Sequence, residues 1–96
     1  MAKNNAQSEI NRKRLNEPPS GAKFSGDQGI PRIGEVVDVT LNGIGLAEVT
    51  GYTEEYGYVG VVILPQNPPE WYARQNGEGA EGVVFGTEFQ RIKEVR

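Results

Sequence analysis

The stretch Glu35 to Leu64, EVVDVTLNGIGLAEVTGYTEEYGYVGVVIL, decides the fold. Its first part, Glu35 to Leu41, alternates with period two: Val37, Val39 and Leu41 fall on one face, Val36, Asp38 and Thr40 on the other, which is the pattern of a half-buried strand. Asn42-Gly43-Ile44-Gly45 supplies residues that accept positive φ, so the chain is expected to reverse there. A second strand, Leu46 to Tyr52, sets Ala47, Val49 and Gly51 against Leu46, Glu48 and Thr50, and Thr53 to Gly57 is expected to turn. Tyr58 to Leu64 carries apolar residues on both faces and is expected to be the central strand.

Outward from that stretch the patterning weakens. Pro65 to Glu81 holds three prolines and two glycines without a sustained period, so it reads as a long loop, with Asn67-Pro68-Pro69-Glu70 stiffening it. Gly82 to Phe85 resumes a strand. Gly86-Thr87-Glu88-Phe89 then reads as one helical or 3₁₀ turn before a last short strand, Arg91 to Val95. On the other side, residues 1 to 29 contain Ile10, Leu15 and Phe24 as their only large hydrophobes besides Met1, too few to offset the ordering of so many residues. They read as a flexible basic arm, and residues 30 to 96 as the folded domain. Ser8 can cap a short helix through Leu15, with Arg12, Lys13 and Arg14 at its C-terminal turn, that orders on a partner; a solvated tail is the plainer reading.

The fold class expected is all-β, a small five-stranded barrel with an extended N-terminal arm. The GEVVDVTLNGIG opening, the GYTEEYGYVGVVI hairpin and the closing VVFGTEFQRI resemble SH3-like barrels over about two-thirds of the chain. The arm, the valine-rich opening, the Gly-Tyr hairpin and the terminal aromatic turn are also similar to the plasmid-borne type II dihydrofolate reductases. That family assembles a shared pore from four barrels and carries a Val-Gln-Ile-Tyr motif in its active-site strand. Here the corresponding place reads Val83-Val84-Phe85-Gly86, so the resemblance implies an oligomeric barrel and transfers no catalytic residue.

Composition narrows the chemistry. Ninety-six residues without a cysteine or a histidine carry no disulfide framework, no thiolate nucleophile and no imidazole base. All three serines, Ser8, Ser20 and Ser25, precede the first strand, so a serine nucleophile would sit on the arm. No catalytic residue, metal site or cofactor is expected. Glu48, Glu54 and Glu55 lack the closely spaced oxygens of a calcium loop, and Gly77 to Gly82 lacks the lysine and long helix of a phosphate loop. Residues 1 to 29 hold five basic against three acidic residues, the rest five against ten, so the body is acidic and the arm basic. An acidic body disfavours phosphate backbones and leaves nucleic-acid binding only to the arm.

Five of the eight aromatics, Tyr52, Tyr56, Tyr58, Trp71 and Tyr72, gather at one hairpin end and one loop. Aromatic side chains supply large contact area at low entropic cost, so Trp71, Tyr72, Tyr56 and Tyr52, with Arg12, Lys13 and Arg14 of the arm, are the expected partner-binding residues. The alternative for Trp71 is to plug an open end of the barrel, and an indole at least half exposed would favour contact. The function expected is a non-enzymatic protein-interaction module, cytoplasmic or in a virion and without a membrane span, that joins copies of itself or a larger assembly because so small a core gains little alone. A phage or mobile-element origin, as virion accessory protein or inhibitor of a host defence complex, is the analogy drawn. The enzymatic alternative is an oligomeric pore lined by Tyr58, Val84 and Phe85.

Overall fold

The computed structural model describes residues 14–92. Strand β1 is Val36–Val39, β2 Gly45–Glu55, β3 Tyr58–Pro65, β4 Gly82–Val84 and β5 Phe89–Arg91; one helix, α1, spans Glu70–Asn76. The strands form one antiparallel sheet in the order β4-β3-β2-β1-β5, and a 3₁₀ turn, Gly86–Glu88, separates β4 from β5. Hydrogen bonds do not close this sheet into a barrel: β4 and β5 remain its two edges.

The local chemistry accounts for the elements. Asn42, Gly43 and Gly45 take φ of 55°, 73° and 80°, so the reversal between β1 and β2 uses the residue types that tolerate left-handed backbone. Tyr56 and Gly57, with φ of 55° and 81°, form the two-residue loop between β2 and β3, whose flanking residues Glu55 and Tyr58 pair. The turn expected over Thr53 to Gly57 is thus tighter, and β2 runs on to Glu55.

The central strand is β2, not β3. At 11 residues β2 is long enough to pair with β1 through its first part and with β3 along its length. β3 nonetheless has both faces covered, as its apolar run implies: Val59, Val61 and Ile63 join the main core, and Val62, on the opposite face, is equally buried. Simple alternation fails within β2. A bulge between Val49 and Gly51 shifts the register, so Ala47 and Val49 point into the core and then Tyr52 does, where unbroken alternation would have used Gly51. Leu41 leaves the buried face it was expected to share with Val37 and Val39, because the chain has entered a 3₁₀ turn and left it exposed.

The long loop contains a helix. Pro69 sits at the N-cap of α1, Arg74 pairs with Glu70 one turn earlier at 2.6 Å, and Gly77 ends the helix at φ 92°. Tyr72 is its one buried residue and docks on the core, its hydroxyl donating to Ala80 O at 3.0 Å. The last strand is Phe89–Arg91 and begins earlier than expected; residues 93–96 lie outside the described ones.

Residues 14 to 31 lie against the sheet. Leu15 exchanges two backbone bonds with Tyr52 of β2, at 2.7 and 3.0 Å; Lys23 bonds Gly57 O and Val59 N–H at 2.8 and 2.7 Å. The segment therefore passes from the β2 edge to the β3 edge of the same hairpin. Ala22, Phe24 and Ile30 then pack on the core, Phe24 facing the Phe89 ring at 6.3 Å. Backbone pairing makes up for the scarcity of hydrophobes that marks this segment as an arm. The Ser8-capped helix lies outside the described residues except for its last two positions, Arg14 and Leu15, and Leu15 is in a β-bridge there.

Candidate interaction surface

The hairpin turn fixes Tyr56 with φ 55° and leaves it 96% exposed. A bulky residue in the left-handed region carries steric strain of about 1–2 kcal/mol, and this ring recovers none of it by burial. Beside it stands Tyr58, 42% exposed and paired across the hairpin with Glu55, while Glu54, exposed, pairs with Val59 and so lies on the opposite face. The tip thus presents two aromatic rings beside a carboxylate, and backbone bonds from Lys23 to Gly57 and Val59 and from Leu15 to Tyr52 brace the hairpin beneath it.

Tyr52 and Tyr72, the other two tyrosines expected to bind a partner, are only 4% and 6% exposed. The Tyr52 hydroxyl donates to Pro31 O at 2.6 Å and so ties the segment before β1 to the middle of the sheet. Burial pushes both phenols above their ordinary pKa, with nearby Glu35 adding to the effect on Tyr52 and Glu81 on Tyr72. In this chain their positions serve packing. Trp71 is 37% exposed, short of half, and stands edge-on to Tyr72 with ring centroids 5.7 Å apart. It borders a shallow groove of about 450 Å³ with Asn42 and Gln75.

Arg14 is engaged within the chain: its stem lies over Gly51, where a Cβ would come within 2.7 Å of its Cγ, and its guanidinium donates to Glu81 at 2.6 Å. Arg12 and Lys13 lie outside the described residues. Of the residues named for the pore alternative, Val84 is buried in the core and Phe85 partly buried. Among the described residues no group of three or more potential metal ligands gathers.

Alternation alone does not single out a second exposed area on the sheet. The registers Val36↔Glu48↔Leu64 and Asp38↔Leu46 place these five side chains on the face opposite the core. Leu46 is 47% exposed, and both ionisable groups among the five are acidic. The pattern of β1 and β2 gives these residues an outward direction; only the structure shows that, among the described residues, Leu46 is left half exposed.

A polar cluster ties the edge strand β5 to the start of its neighbour β1. Arg91 of β5 grips Glu35 with two parallel bonds, Nε to Oε2 at 2.7 Å and Nη2 to Oε1 at 3.0 Å, and a further nitrogen donates to Gln28 O at 3.0 Å. The Arg91 guanidinium holds the Glu35 carboxyl below its ordinary pKa despite partial burial, and Glu35 raises Arg91 in return. Comparison with protein-family models, curated proteins and solved structures finds no match to this chain, so neither the SH3-like nor the type II reductase resemblance is carried by a relative.

Proposed function

We propose that this chain is a non-enzymatic protein-interaction module, built on an SH3-like roll and contacting its partner through the Tyr56 hairpin tip. The strand order β4-β3-β2-β1-β5 with a 3₁₀ turn before the last strand supports the roll. The single observation that carries the contact is Tyr56: it is strained in backbone, exposed in side chain and gripped at its base. A residue that adds strain and no burial does nothing for folding, so its value lies outside the chain. The partner is a protein surface offering an apolar slot beside basic side chains, complementary to Tyr56, Tyr58 and Glu55, in a second copy or in a larger assembly. The analogy with plasmid-borne barrels extends the proposal to a phage or mobile-element setting, as a virion accessory protein or an inhibitor of a host defence complex.

The test is Tyr56→Gly in the full chain. Glycine accepts φ 55° without strain, so the variant folds at least as well as the parent. Quantitative affinity capture and light scattering on both proteins should show loss of the captured partner, or of self-assembled mass, in the variant alone. Equal capture and equal mass would remove the hairpin tip from the function.

A further inference from the structure

Asn-Gly occurs twice in the chain, at Asn42-Gly43 and Asn76-Gly77. In an open chain both are chemically labile, because a glycine after asparagine leaves the backbone nitrogen sterically free to reach the Asn Cγ. The fold treats them differently. Asn76 closes α1: its Nδ2 donates to Tyr72 O at 3.1 Å, and the Gly77 N–H donates to Ala73 O at 2.8 Å. Attack there requires both bonds to break and the last helical turn to open. Asn42 stands exposed in a left-handed conformation (φ 55°, ψ 25°), followed by Gly43 at φ 73°. Its turn is closed by a bond from Ile44 N–H to Leu41 O at 3.2 Å, which a rotation about the Asn42 ψ angle disturbs without unpairing a strand.

We propose that Asn42-Gly43 is a self-modifying site of the folded protein, while Asn76-Gly77 is protected by the helix end. The Gly43 nitrogen bonds to Asn42 Cγ, the Cγ–Nδ2 bond breaks, and Nδ2 leaves as ammonia with the proton that Gly43 gives up. Water then opens the resulting succinimide at either carbonyl, giving aspartate or isoaspartate; no oxidant or reductant takes part. Either product places a carboxylate beside Trp71 and Gln75 in the groove that Asn42 lines. Isoaspartate also adds a carbon to the backbone of the turn that launches β2.

The experiment incubates the full chain in mildly alkaline buffer and follows both sites by peptide mass mapping, with ion-exchange elution as a second readout and Asn42→Asp marking the aspartate product. In the folded protein Asn42 should convert roughly tenfold faster than Asn76. In denaturant the two rates should converge, since the local sequence is the same Asn-Gly. Equal rates in the folded protein, faster conversion of Asn76, or survival of both sites when folded would each overturn the proposal.

Discussion

Gly86 shows how much one absent methyl group can decide. A Cβ at this position would collide with the backbone N and Cα of Gly26, so the segment before β1 reaches the 3₁₀ turn only because both residues are glycine. Gly86→Ala should lower stability by about 2 kcal/mol, read as a drop in the urea midpoint, whereas Gly21→Ala, with open space around it, should cost only the left-handed strain of about 1 kcal/mol. Tyr52→Phe removes a 2.6 Å bond and leaves the Pro31 carbonyl buried without its donor, an expected loss of about 1–2 kcal/mol. The raised phenols of Tyr52 and Tyr72 stabilise the neutral form in the folded state. Their contribution is full below the ordinary value of 10.0 and is lost as pH rises through the higher folded values, so Tyr72→Phe should flatten the alkaline limb of a stability-pH curve.

At the scale of elements, β1, β5 and the segment before them are joined by Glu35, Arg91 and Gln28. Glu35 has a depressed folded pKa, so its contribution is present above the ordinary 4.5 and disappears as pH falls through the lower folded value. Glu35→Gln should therefore weaken the protein at neutral pH and make its urea midpoint less sensitive to acid; an unchanged acid limb would show that the pair does not fasten the sheet. Helix α1 was partly legible in advance, since Pro68-Pro69 before it, Glu70 and Arg74 four apart, and Gly77 after it are start, support and stop signals. What concealed it is its length: seven residues with one buried side chain cannot display a helical period. The bulge in β2 left no comparable trace, because Thr50-Gly51 satisfies an alternating reading as well as a shifted one.

For the whole molecule, residues 14 to 31 convert an open sheet into a covered one. They pair with both edges of the β2–β3 hairpin, lay the Arg14 stem over Gly51 and set Phe24 on Phe89. Removing residues 1–29 should lower stability by about 3 kcal/mol, the combined loss of the Leu15 and Lys23 backbone pairing and of the packing of partly buried Phe24. Removing residues 1–13 leaves all of these contacts in place, so the difference in urea midpoint between the two truncations isolates residues 14–29. Near-equal midpoints would mean that the segment only decorates the sheet.

By itself the sequence determined the β class, the two glycine-assisted reversals and the 3₁₀ turn before the last strand, because each depends on neighbours a few residues apart. Only the tertiary structure decided that β2 lies at the centre, that Tyr52 and Tyr72 turn inward, and that an arm poor in hydrophobes is fastened by Leu15, Lys23 and Arg14. Those outcomes depend on pairing between residues far apart in the chain, such as Leu15 with Tyr52 and Arg14 with Glu81, and a one-residue bulge is enough to exchange which face meets the core.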